Sequence, residues 1–422
     1  MFRAVLLFYL FSPLLGIYLM EQGAFGMDIG MKGHPNGATF AYFIYLVAFG
    51  ISFYIFKGNR LFKIKINSPK MDNQFVKRRF IVAIYVQIIF ILIMLFGFGA
   101  IKVWLGLISK GDFRGSFGFF GPFAYYISNL FAPALMAYLA ALYKKYRKLI
   151  PGLGTYLLIN IGLVFVLGSV WGFKSTSIAI LMPAAILYWN RISLAKLAMV
   201  FVLVFSSFVF FSGVFDDTSF KTKDITETIT DFSVEKTFDV RNFNSFSFVL
   251  YRLTVIQGNT PWRVWDLYSS GEEMPSYAKT LPAIMGDKFL ALGGIDANDR
   301  KNFTDYHYSF AVTNLVGRAE YFLDFGHNVT ATAFTDGVLI GGMFGVAIIG
   351  LVAGFLTRAF ADLISRARLK DNPIFLSIIL VYFTSYYLGW LNSGGVTAFI
   401  HISVFVGLFL TYLFLKTFDR IK

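Results

Sequence analysis

The chain has 422 residues, 57% hydrophobic and only 15% charged, without cysteine, and its mean hydropathy is +0.64. A soluble domain sits nearer half apolar and a quarter charged, so this composition excludes a soluble fold and indicates a polytopic membrane protein. The net charge of +14 resides in short loops between apolar runs, where it sets membrane orientation and calls for no nucleic acid; lack of cysteine excludes disulfides and thiolate chemistry.

Apolar stretches of about 18 or more residues mark spans. In chain order they fall near 4–20, 38–56, 80–100, 123–143, 150–170, 176–190, 197–215, 332–357, 373–392 and 396–415. The expected fold class is an all-α polytopic membrane protein of about ten transmembrane helices. Residues 1–215 hold helices one to seven, 216–331 form a large outer loop domain, and 332–422 hold helices eight to ten. The first span follows Arg3 and lacks a small-x-small cleavage site, so it is expected to be retained.

Basic residues alternate with the spans. Lys57 to Arg79 lie between spans two and three, Lys144 to Lys148 after span four, and Arg191 and Lys196 after span six. Arg358 to Lys370 follow span eight and Lys416 to Lys422 close the chain. The positive-inside rule assigns that side, with both termini, to the cytoplasm, and the long loop to the outside. Within the loop, "VLYRLTVIQGNTPWRVWDLYSSG" reads as helical with a turn at Gly258, Asn259, Thr260 and Pro261. Arg252 is a lone cation among apolar neighbours, costly unless it meets an anion. Arg263 is flanked by Trp262 and Trp265, a pair expected to anchor at the membrane interface. Lys174 stands at the outer turn between spans five and six, and Arg318 in "VGRAEYFLDFGHN" nine residues before His327.

The stretch "FGHNVTATAFTDGVLIGGMFG" sets His327 and Asn328 at the start of span eight. A helix N-terminus favours an anionic ligand such as phosphate, and Asn328 suits the N-cap. His327 can accept a proton near neutral pH, and Asp324 and Glu320 are the nearby carboxylate bases. His307 reads as a packing residue, His34 and His401 receive no role, and the four histidines lack metal-ligand spacing. No metal or other cofactor is expected.

His327-Asn328, Asp336 nine residues on and Gly341 fourteen on resemble the His-Asn … Glu … Gly pattern that closes the periplasmic loop in the bacterial O-antigen ligase and Wzy-type polysaccharide polymerase superfamily. Gly337 one place early and Thr330 in place of an aromatic depart from the ligase-like form. The resemblance implies a GT-C-like fold and an inner-membrane, metal-independent glycosyltransferase. Its donor and acceptor would be undecaprenyl-diphosphate-linked glycans, with a chain-length-regulating membrane protein as a further partner. Arg318, Arg252, Lys174 and Arg263 would then hold the diphosphate, since arginine binds phosphate bidentately. Two alternatives stay open: an O-antigen ligase acting on lipid A core, and a lipid-linked oligosaccharide flippase or transporter.

Overall fold

In hydrocarbon every backbone N–H and C=O must be satisfied within its own segment, so long apolar runs become helices. The computed structural model describes residues 2–26, 28–56, 73–105, 107, 108, 113, 121–170, 176–188, 251, 255–285, 308–317, 329, 331–369 and 371–420. Among these, eight helices are long and apolar enough to cross a membrane. They are α1 (Phe2–Glu21), α2 (Ala38–Ile55), α3 (Asn73–Leu92, continued by a π turn to Gly97), α4 (the span Phe123–Tyr146) and α5 (Leu153–Val170). After α6 (Thr176–Tyr188), α7 (Val255–Ser269) and α8 (Tyr308–Leu315), which are shorter, come α9 (Ala333–Leu369), α10 (Pro373–Ser393) and α11 (Ile402–Asp419, in the span Thr397–Asp419). The expected span at 197–215 lies outside the described residues. A hairpin of two-residue strands, β1 (Phe25–Gly26) and β2 (Met31–Lys32), is the one departure from helix among the described elements.

The spans are apolar all round, and burial alone divides their faces. On α2, Phe40, Phe43, Val47, Ile51 and Tyr54 are exposed while Tyr42, Tyr45 and Phe49 are buried. The first face suits lipid and the second packs on protein. Small residues set how closely helices approach. A Cβ on Gly350 would lie 2.6 Å from the Tyr45 carbonyl oxygen, and one on Gly354 2.2 Å from that of Phe49. This GxxxG pair joins α9 to α2 backbone to backbone. Likewise a Cβ on Gly258 would fall 2.1 Å from the Ile17 nitrogen, where α7 crosses α1. The turn expected at Gly258–Pro261 is therefore absent: α7 runs straight through it, because Gly258 serves close approach and Pro261 stands within the helix.

One further expectation needs correction. Span eight is not one helix to residue 357; α9 runs to Leu369 and is broken at Gly341 and Gly342. His401 lies in the last span, where it caps α11, its Nδ1 accepting the Ser403 N–H at 3.0 Å.

One cluster of described basic residues lies where α4, α6 and α9 end and α3 and α10 begin. Lys144 Nζ donates to the Leu187 carbonyl at 3.3 Å, Arg368 Nη2 to that of Ile186 at 2.9 Å, and Arg147 Nη1 to Tyr188 Oη at 3.0 Å. Lys145 pairs with Asp371. Arg79 Nη1 meets Asp419 Oδ1 at 2.9 Å, and Tyr138 Oη donates to the same carboxylate at 2.5 Å. Inside the bundle, Gln87 Nε2 donates to Asn160 Oδ1 at 2.9 Å, a polar pair tying α3 to α5.

Replacing Gly354 by Leu is expected to destabilise the protein by about 1–3 kcal/mol through overpacking against α2. Gly162→Leu, where a Cβ would meet open space, should stay near wild type. Thermal unfolding of the detergent-solubilised variants measures both.

Candidate functional site

At the end of the bundle opposite the basic girdle lie two polar constellations. The first is built on the start of α9. Thr332 precedes the helix, and its N–H is accepted by Thr335 Oγ1 at 3.2 Å. The helix begins at Ala333, and Asn328, the expected cap, lies outside the described residues. One turn in stands Asp336, wholly buried.

The break in α9 positions this acid. A Cβ on Gly337 would lie 2.6 Å from Val346 Cα, and one on Gly345 2.1 Å from the Gly337 carbonyl oxygen. In a straight helix residues 337 and 346 would be about 13 Å apart along the axis, so residues 333–340 fold back on the second part of α9. Gly342 bears the reversal at φ +54, and the Tyr268 ring fills the space its side chain would take. Gly341, the glycine of the sequence motif, has an extended φ of 178 and open space around it. The glycine requirement therefore belongs to Gly342 and Gly337.

Asp336 accepts from Trp390 Nε1 at 2.7 Å, from the Gly395 N–H at 2.8 Å and from Tyr277 Oη at 3.2 Å. Tyr277 Oη in turn accepts the Val396 N–H at 3.1 Å. Gly394 and Gly395, at φ +67 and +73, aim that N–H at the acid, and a Cβ on either would strike Tyr308. Burial, and after it the Asp336 charge, holds the Tyr277 and Tyr308 hydroxyls well above the usual phenol range, so both stay protonated. Tyr308 Oη adjoins the carboxylate but falls short of hydrogen-bond geometry to any described protein atom. Fixed donors thus meet a buried anion, the arrangement that makes such a charge tolerable.

The second constellation joins the loop after α1 to α7. Asp266, almost fully buried, accepts from Arg263 Nη1 at 2.6 Å and Asn36 Nδ2 at 3.2 Å, and His34 Nε2 lies 3.0 Å from its Oδ1. The Asn36 N–H reaches Glu21 Oε1 at 3.3 Å. Trp262 and Trp265 donate their indole N–H groups to the carbonyls of His34 and Asn36 at 3.2 and 3.1 Å. Both indoles are buried, which corrects the expected interface anchors: their polar edges are spent on holding the first loop. The Trp265 ring lies 6.3 Å from that of Phe334, two residues before Asp336, so the constellations adjoin.

Of the residues expected from sequence, His327, Asn328, Asp324, Glu320, Arg318, Arg252 and Lys174 lie outside the described residues. Asp336 is the centre of the first constellation, and Arg263 is paired with Asp266 in the second. His34 was assigned no role from sequence. Its partner is 232 positions away, and no local signal could join them.

Asp336→Asn would set an NH₂ group against at least one fixed donor, Gly395 N–H or Trp390 Nε1–H, and should cost about 1–3 kcal/mol. Trp390→Phe, which removes one donor, should cost less. Tyr308→Phe should be near neutral because its hydroxyl lacks a partner. Denaturant or thermal unfolding in one detergent ranks the three. No family model matches the chain, and neither a curated protein nor a solved structure matches it.

Proposed function

We propose that the protein is a metal-independent glycosyltransferase of the O-antigen polymerase type, seated in a bacterial inner membrane. It transfers a growing glycan from undecaprenyl diphosphate to the non-reducing end of another lipid-linked repeat unit. One observation carries the reading. Asp336, the acid of the His-Asn … Asp … Gly motif, is the buried acceptor around which α9, α10, the Gly394–Val396 link and Tyr277 meet, at the face opposite the basic girdle. A lipid-anchored diphosphate presents its scissile bond at headgroup depth, and a helix start at that depth, with the motif histidine just before it, suits the chemistry.

In this reading His327 acts as base or transition-state donor, with Asp324 and Glu320 as neighbouring carboxylates. Arg318, Arg252, Lys174 and Arg263 form the pool of cations for the leaving diphosphate, whose charge grows as the glycosidic C–O bond breaks. A ligase acting on lipid A core would use the same parts with another acceptor. A second class, a lipid-linked oligosaccharide transporter, is favoured by one observation, the break in α9 at Gly341 and Gly342, since discontinuous helices build transporter sites.

Orientation is open to a direct test. Alkaline phosphatase fused after Asn298 should be active and fused after Lys65 inactive; the opposite pattern would put the constellations on the cytoplasmic side and end the reading.

His327→Ala should lower the polymerisation rate by about 10²–10⁴-fold and accumulate single undecaprenyl-linked units. Arg318→Ala should abolish long chains, with poor rescue by Lys because a point charge lacks the bidentate fork. Gel ladders of the cell-surface polysaccharide give the readout. Loss of single units from the outer leaflet in both variants would instead support transport.

A further inference from the structure

The His34–Asp266 pair is built more firmly than a surface ion pair requires. Asp266 already has Arg263 and Asn36, so its charge is met without the imidazole. The backbone that carries His34 is fixed from three sides. The Trp262 indole holds its carbonyl, the Trp265 indole holds that of Asn36, and Gly33 lies so close to α1 that a Cβ would stand 1.9 Å from the Met20 carbonyl oxygen. Pro35 follows and restricts the loop further. The His34 ring meets Trp262 edge to face at 5.1 Å, yet its side chain is 51% exposed. A rigid support under an accessible imidazole is the arrangement that preorganised chemistry needs.

His34 Nε2 stands 3.0 Å from Asp266 Oδ1, so the carboxylate faces one ring nitrogen and Nδ1 is the nitrogen left to accept a proton. We propose that His34 is a general base of this protein, acting on a hydroxyl of the acceptor sugar, with Asp266 as its positioning residue. The proposal rests on the glycosyltransferase reading above and deepens it: with the proton acceptor in the first outer loop, His327 keeps the other role given it there, that of transition-state donor. In the step, the acceptor O–H proton passes to His34 Nδ1 and the hydroxyl oxygen forms the new bond to the donor's anomeric carbon. The bond from that carbon to the diphosphate oxygen breaks, and its electron pair leaves on the lipid diphosphate. Asp266 stabilises the imidazolium that results.

The charged groups about the ring are Asp266 and Arg263 on α7, Glu21 at the end of α1, and Lys32 in β2. A general base must be unprotonated to accept the proton, so the rate should fall as the medium is made acidic.

The test is polymerisation by the purified full chain in vesicles supplied with undecaprenyl-diphosphate-linked repeat units. His34→Gln keeps a donor for Asp266 but cannot take a proton. It should lower kcat by about 10²-fold or more, leave KM little changed and lose the acid limb of the pH–rate profile. His34→Ala should be similarly slow and regain rate when free imidazole is added, which a packing role would not produce. Asp266→Asn should lower kcat less than His34→Gln. Polymer formation by His34→Gln at near wild-type rate with an unchanged pH profile overturns the proposal while leaving the glycosyltransferase reading in place. Absence of polymer from the wild-type protein overturns that reading, and the role of His34 with it.

Discussion

A carboxylate withdrawn from water must meet donors or a cation, and Asp336 meets donors drawn from three separate parts of the chain. Trp390 belongs to the end of α10, Gly395 to the link that follows it, and Tyr277 to the 3₁₀ segment Tyr277–Met285. None of these groups can shift without leaving the acid undercompensated. The carboxylate therefore fixes how the start of α9, the end of α10 and the 3₁₀ segment sit together, a specificity that apolar packing supplies only weakly among helices whose faces are all greasy.

That constraint works only because glycine lets the backbones close up. Gly337 and Gly345 bring the two parts of α9 together, Gly342 turns the chain, and Gly394 and Gly395 deliver an N–H beneath Tyr308. Farther along α9, Gly350 and Gly354 seat it on α2, so the same helix carries the polar knot at one end and a close helix pair beyond it. Displacement of the knot would be felt along α2, whose Tyr42 ring packs 5.2 Å from Phe334, and at Trp265, which packs on Phe334 from α7.

Polar chemistry is thereby segregated. One end of the bundle carries a girdle of Lys and Arg that cap helix C-termini and pair with Asp371 and Asp419, a stabilising placement for cations. The other end carries two buried acids, each ringed by donors and each next to an aromatic wall. Between them the spans hold little that is polar beyond the Gln87–Asn160 pair. These two acids differ in one respect that bears on chemistry. Asp336 is sealed, whereas Asp266 holds a histidine whose ring reaches the surface.

Hydropathy in the sequence determined the membrane class and where the eight described spans fall, span eight's break and length apart, because burial in hydrocarbon acts on each segment by itself. The motif also marked Asp336, since its position in the first turn of a helix is a local property. Tertiary structure alone decided the break in α9, the unbroken course of α7 through Gly258 and Pro261, and the burial of Trp262 and Trp265. Each depends on which backbone passes within a Cβ's reach of a glycine, or which carbonyl an indole meets. The pairing of His34 with Asp266 belongs to the same class. It joins residues 232 positions apart at 3.0 Å, and a pattern confined to neighbours in the chain cannot carry a contact that exists only once α1 and α7 have packed.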